Sequence, residues 1–371
     1  MADQRITQLA ENLMTYSCAL KPGEKVLIEV YDCDDFVAEE LVRAAYKVGA
    51  VPHLEIRRYR PFAALVDGLS KEQAEDMARY DAARMNEMDA YIGIRGYDNA
   101  SEMSGASKQG IEYYQSIYSH MVHGTIRVKK TKWCVLRYPT PSMAQLAGMS
   151  TRDFEDFYFN VCNLDYSKMS VAMDSLVEMM EKTDKVRLTA KDTDITFSIK
   201  GMKAIKCDGK MNIPDGEVYT APIRDSINGR ITYNTPSEYS GTGFDNISFL
   251  FKDGKIIEAT ANNTEALNRV LDTDEGARYI GEFAIGVNPF VTKPMNDTLF
   301  DEKISGSIHF TPGAAYDDAY NGNDSAIHWD LVLIQTPEYG GGDMWFDDVK
   351  VRENGRFIVP ELECLNPENL M

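Results

Sequence analysis

Apolar residues recur with two different periods along this chain, and the change of period divides it. In the first half, short apolar runs alternate with stretches of helical spacing. Residues 26–30 follow the turn signal Pro22-Gly23 and predict a strand. Residues 35–48 carry apolar side chains at helical spacing and stop at Gly49, and 51–56 predict the next strand. Strand, helix and strand in that order predict a βαβ unit with a right-handed crossover. Ser70 and Gln73 form a capping-box pattern at the start of another helix. That helix leads to a strand at 91–95, and 133–137 predicts a further one. From Ser150 to about Lys182 the pattern is mostly helical.

The second half changes character. Asn228-Gly229, Asp253-Gly254 and Asn354-Gly355 each sit between β-rich runs, and such dipeptides favour tight hairpins because both central residues take positive φ. One helix is expected near 263–271. The fold class expected is an α/β N-terminal domain over residues 1–190, followed by an α+β, antiparallel β-rich domain over 191–371. Gly340-Gly341-Gly342 reads as a turn. The α/β half has no G-x-G-x-x-G and no P-loop, so nucleotide binding has no support there.

Composition narrows the function classes. The 371 residues carry a formal net charge of −19. That disfavours nucleic acid, whose phosphates call for a basic surface, and suits a protein that attracts cations. No run of about 18 apolar residues occurs, so no membrane span is expected. The first residues carry charges throughout and lack an apolar signal core, which predicts a cytoplasmic protein. Six scattered cysteines without C-x-x-C pairs fit reduced thiols packed as small apolar residues.

The chemistry concentrates near the end. Two of the five histidines, His309 and His328, fall within one segment, and His328 is followed two residues later by Asp330. Residues 326–334 predict a strand. There His328 and Asp330 project from one face, about 7 Å apart by twice the rise per residue, with Ile327 and Trp329 on the other. His309 lies in a second strand-like run, and Pro312-Gly313 turns the chain so that Tyr316 can fold back toward it. A lone histidine on a strand is more often a satisfied core residue. A His-x-Asp pair with a second histidine close by favours a divalent metal site.

Several stretches then resemble one family, the M29 metallo-aminopeptidases of the aminopeptidase T and aminopeptidase S type. They are LKPGE (20–24), NIPDGEV (212–218), GEFAIGVNP (281–289), EKISGSIH (302–309) and SAIHWD (325–330), in the family's order and across nearly the whole chain. The resemblance implies a thermophilic metalloprotease-like fold with two divalent ions held by Glu217, Glu282, His309, Tyr316, His328 and Asp330. It also implies peptide substrates with a free N-terminus and a homodimer. Glu282 would bridge metals or shuttle the proton, and Tyr316 would stabilise the oxyanion or bind a metal. Glu302 stays open between an exposed pair with Lys303 and an additional ligand. With Glu217, Glu282 and Asp330 supplying three negative charges, one divalent ion leaves −1 and two leave +1, which a hydroxide neutralises. Mixed imidazole and carboxylate donors suit zinc, cobalt or manganese.

The same fold resembles 2,5-dihydroxypyridine dioxygenases, single non-haem iron enzymes. His309, His328 and Asp330 would suffice for such a facial triad, whereas Glu217 and Glu282 would be superfluous in it. The chain departs from the M29 pattern in a shorter stretch between Tyr316 and His328, in Ser307 where threonine is common, and in Thr311-Pro312. These changes bear on the substrate pocket rather than on the metal chemistry.

Overall fold

Lys25–Tyr31 (β1), Val51–Arg57 (β2), Ala90–Arg95 (β3) and Lys132–Arg137 (β4) pair in parallel in the order β2-β1-β3-β4. The short Asn212–Ile213 strand adds in parallel beside β4. A computed structural model describes residues 3–371. Strand β1 is buried along nearly its whole length, the continuous apolar pattern of a strand covered on both faces. The helix Asp35–Lys47 connects it to β2 and buries Val37, Ala38, Leu41, Ala44 and Ala45, one stripe of a 3.6-residue period. It stops where Gly49 takes φ +78°, a conformation that favours glycine. The Ser70 hydroxyl accepts from the Gln73 backbone N–H and caps the helix Lys71–Met85, as the sequence pattern predicts.

A buried ionic cluster crosses one face of this sheet. The Glu29 carboxylate meets Arg95 at 2.9 Å, Arg127 at 3.2 Å and Arg57 at 3.5 Å, and accepts from the Tyr91 hydroxyl at 2.7 Å. Burial alone would raise its pKa. The three guanidiniums outweigh burial and hold it down at about 2. Gly93 makes the geometry possible, because a Cβ there would fall 2.6 Å from the Tyr91 hydroxyl.

The chain forms two compact units. The first comprises residues up to Asn163 together with Gly209–Ile213, and the second comprises Leu164–Asp208 with Pro214–Met371. The division at Leu164 lies ahead of the residue 190 expected from sequence. The reason is the helix Tyr166–Lys182, which packs on the strands Ile205–Cys207 and Glu217–Thr220. Its Tyr166 hydroxyl also accepts from the Asp215 backbone N–H at 3.0 Å. A local helical pattern does not reveal which sheet the helix will cover.

The second unit holds two larger antiparallel sheets. One has eight strands, in the order Lys255–Thr260, Ser248–Lys252, Asn228–Thr232, Thr193–Ser198, Lys185–Ala190, Gly342–Phe346, Val349–Glu353 and Arg356–Phe357. The other has five: Val332–Ile334, Ser307–Pro312, Ile280–Gly286, Glu217–Thr220 and Ile205–Cys207. Phe197 and Phe251 of the first sheet pack on Phe283 and Phe310 of the second, with ring centroids 5.0 to 5.9 Å apart. Asp253-Gly254 and Asn354-Gly355 form tight turns with positive φ at both residues, as expected. Asn228-Gly229 does not. It lies within a strand, where Gly229 lets the Asp194 carbonyl approach to 2.2 Å of where a Cβ would stand.

Candidate metal centre

The five-stranded sheet sorts its side chains by chemistry. Pairing sets Glu217 opposite Gly286, Tyr219 opposite Ala284, Ala284 opposite His309 and Glu282 opposite Thr311. Directly opposed residues share a face and neighbours alternate. One face therefore carries Glu217, Glu282, His309 and Thr311, while Val218, Phe283, Ile285, Ile308 and Phe310 fill the apolar interface behind it. The alternation in the sequence thus builds a polar floor on a hydrophobic support. A bulge at Gly281 aims Glu282, since register shifts between Ile280 and Glu282.

Glu282 is 3% exposed and lies between two imidazoles. Its Oε1 is 2.9 Å from His309 Nε2, and its Oε2 is 3.3 Å from His328 Nε2. His309 also faces Glu217 Oε2 at 3.5 Å, and His328 faces Asp330 Oδ1 at 3.3 Å. Two histidine-bearing groups of donors result, Glu217 with Glu302 and His309, and Glu282 with His328 and Asp330, beside a third of Cys207, Asp215 and Glu217. Within each, the ligand atoms lie within 4.8 Å of one another.

Neighbouring groups fix these side chains. Asp330 Oδ1 accepts from the Thr311 hydroxyl at 2.8 Å. His328 Nδ1 is 2.8 Å from the Ala314 carbonyl, which orients Nε2 toward the carboxylates. The segment around them is less regular than expected. Only Val332–Ile334 is a strand, and His328 forms an isolated bridge to Gly313. His328 and Asp330 nonetheless share a side, while Trp329 packs oppositely on Tyr239 and Phe244. Tyr316 folds back as expected, its ring 4.5 Å from that of His328 and half exposed.

The electrostatics call for positive charge. Burial disfavours charged imidazole, yet the surrounding carboxylates overcome it, raising His309 to about 9 and His328 to about 11. Burial would raise Asp330, and the His328 contact instead holds it well below the carboxylate range. Burial pushes Glu302 well up, against the pull of Lys303. Burial and the nearby carboxylates raise the Tyr316 phenol. Glu217 Oε2, Glu282 Oε2 and His328 Nε2 are buried without a hydrogen-bond partner among the described residues. Buried acceptors left over in a cluster of carboxylates fit divalent cations.

The structure brings together every sequence-derived candidate: Glu217, Glu282, His309, Tyr316, His328 and Asp330. The exposed charge pair considered for Glu302 and Lys303 is not what forms. Lys303 is 2% exposed and its ammonium is 2.6 Å from Glu217 Oε1. Sequence reasoning missed Asp215, buried beside them, and the Thr311 contact to Asp330. Thr311 acquires its role from pairing across the sheet, and Asp215, in the loop before the Glu217–Thr220 strand, from the fold that brings Lys303 beside it.

Known proteins share this fold and parts of this sequence. Aminopeptidase 2 of Geobacillus stearothermophilus is 26% identical over 267 residues, covering 60% of this chain and 63% of that protein. The matched stretch thus spans less than two thirds of that relative's length. Wild-type AmpT from Thermus thermophilus has the same fold, with a TM-score of 0.79 at 20% identity over 96% of this chain and 99% of that one. A 2,5-dihydroxypyridine dioxygenase from Pseudomonas putida KT2440 shares it more distantly, with a TM-score of 0.62 at 13% identity over 98% and 99%. The family model for thermophilic metalloproteases (M29) matches residues 2–357. A match across nearly the whole length, on a chain whose carboxylates and imidazoles converge in one buried cluster, shows that this protein belongs to the thermophilic metalloprotease (M29) family.

Proposed function

We propose that this protein is a co-catalytic metallo-aminopeptidase that removes N-terminal residues from peptides with two divalent ions. The observation that carries this reading is Glu282, which turns one oxygen toward each histidine and so joins the two donor groups. Glu217, Glu302 and His309 would hold one ion, and Glu282, His328 and Asp330 the other, with Tyr316 at the rim. Mixed nitrogen and oxygen donors suit zinc, cobalt or manganese. A single-iron dioxygenase site would need only the two histidines and one carboxylate.

Bound ions would supply Lewis acidity and a water acidified to near-neutral pH. The chain's own groups do the rest. Glu282 either bridges the ions or takes the proton of the attacking water and passes it to the leaving amine. Tyr316, half exposed at the rim, would donate its phenol proton to the oxyanion. The substrate's free α-amine would meet one ion or the carboxylates beside it, which restricts cleavage to the N-terminus. Six free thiols support a reducing, cytoplasmic setting, and the family resemblance supports a homodimer. No helix of the described residues is long and apolar enough to cross a membrane.

The test is a metal-reconstitution series on chelator-stripped protein, with metal counted per chain and aminoacyl-p-nitroanilides and dipeptides as substrates. Two ions per chain, hydrolysis of free peptides and no hydrolysis of N-acetylated ones are expected. His309→Ala and Asp330→Ala should each abolish metal retention and turnover. One iron per chain without hydrolysis would replace this reading by the dioxygenase.

A further inference from the structure

Lys303 belongs to neither donor group, yet its ammonium lies deep among their carboxylates. It is 2.6 Å from Glu217 Oε1, 3.4 Å from Glu302 Oε2 and 3.8 Å from Asp215 Oδ1. Its position does not depend on those ion pairs alone. The Lys303 carbonyl accepts from the Asn288 backbone N–H at 3.0 Å, and Asn288 Nδ2 donates to the Asp215 carbonyl at 2.7 Å. Val287 N–H donates to the Gly216 carbonyl at 2.8 Å. Gly286 lets the turn after Glu302 come close, since a Cβ there would stand 2.3 Å from the Ile304 carbonyl oxygen. The end of the Ile280–Gly286 strand thus ties the Lys303 backbone to the loop that presents Glu217.

We propose that Lys303 is a positioning residue of the metal centre: by holding Glu217 Oε1 it makes Glu217 a single-oxygen ligand, presenting only Oε2, the oxygen beside His309. The proposal rests on the metal-centre reading above. A carboxylate can chelate one cation with both oxygens or offer just one. Here Oε1 is engaged by the ammonium, while Oε2 is buried, has no hydrogen-bond partner and faces His309 Nε2 at 3.5 Å. The donor group around His309 therefore meets its cation with one oxygen from Glu217 and keeps room for Glu302. A lysine suits this task. Its ammonium is a compact charge that donates to Glu217 and lies 3.4 and 3.8 Å from Glu302 and Asp215, whereas the planar fork of arginine engages both oxygens of one carboxylate.

The rival explanation is that Lys303 only neutralises buried charge. Lys303→Arg keeps the charge and alters the geometry, while Lys303→Met removes the charge. Calorimetric titration of each stripped, full-length variant with zinc should show one of the two ions bound at least about 10-fold more weakly than in wild type, as for lost supporting contacts. The other ion should be unaffected. An arginine variant that binds both ions like wild type overturns the proposal. A crystal structure of zinc-loaded wild type tests it without any variant. Glu217 bound through Oε2 alone, with Lys303 on Oε1, supports it. Glu217 chelating with both oxygens, or bound to no ion, overturns it. The number of ions in that crystal separately tests the two-ion reading, so either can fail while the other stands.

Discussion

Three buried glutamates show how neighbours decide what a carboxylate does. Glu29 is surrounded by three arginines and held ionised with a pKa of about 2. Its charge is fully matched, which makes it structural. Glu282 and Glu217 sit among further carboxylates and keep oxygens without partners, which makes them receptive to cations. The Glu29 case has a definite sign. A carboxylate whose pKa falls on folding stabilises above its unfolded value, 4.5, and loses that contribution as pH drops through about 2. A fall of that size corresponds to about 3 kcal/mol at neutral pH, to order of magnitude. Glu29→Gln leaves Arg57, Arg95 and Arg127 without their shared counter-charge and should cost about 3–5 kcal/mol at pH 7. Urea unfolding at pH 7, 5 and 3 should show the gap to wild type narrowing as pH falls. A gap independent of pH would mean that shape, not charge, carries the effect.

At the scale of elements, the bulge at Gly281 is the sensitive point. A Cβ there would stand 2.2 Å from the Ala314 carbonyl oxygen and 2.5 Å from that of Gly313, both backbone atoms that cannot swing away. Ala314 is also the group that orients His328 through Nδ1. Gly281→Ala should therefore cost about 1–3 kcal/mol by overpacking and weaken metal binding at the same time. Gly68→Ala, where nothing lies within 4 Å of the added Cβ, is the control and should change neither. Calorimetry of melting and of metal uptake reads both effects, and unaltered metal affinity in Gly281→Ala would detach the bulge from the site. Elements also differ in how visible they are. Asp35–Lys47 buries residues at the 3.6-residue period and is plain in the sequence. Tyr114–Arg127 winds as a wider π-helix and buries Tyr118, Val122 and Ile126, each four residues apart. Its period is longer than the one a helical pattern search uses.

Across the whole molecule, the net charge of −19 and the buried carboxylate cluster point the same way. Divalent ions bind the folded chain and offset repulsion there, so they should stabilise it by mass action. Stripping them with a chelator should lower the melting temperature. The loss in stability is about 2.7 kcal/mol when the free ion had stood at 100 times its Kd. Restoring zinc or cobalt should reverse it, and magnesium, which prefers oxygen donors in an octahedron, should do so poorly. A melting temperature indifferent to chelator would contradict metal binding at this cluster.

The sequence by itself determined the elements whose period is regular: β1 to β4, the helices Asp35–Lys47 and Lys71–Met85, the turns at Asp253-Gly254 and Asn354-Gly355, and the strand around His309. Its histidines and the His-x-Asp pair marked a metal site, and the resemblance of its motifs to the M29 family implied the remaining candidate ligands. Tertiary structure alone decided what those residues meet. Residues 217, 282, 309 and 330 are neighbours only because antiparallel pairing sets Glu217 opposite Gly286 and Glu282 opposite Thr311. Lys303 illustrates the limit most clearly. Beside Glu302 in the chain it looks like half of an exposed charge pair. Burial by the end of the Ile280–Gly286 strand turns it toward Glu217 and Asp215, and a buried ammonium is stable only where the fold surrounds it with carboxylates. That surrounding is a property of distance in space, which no spacing along the chain encodes.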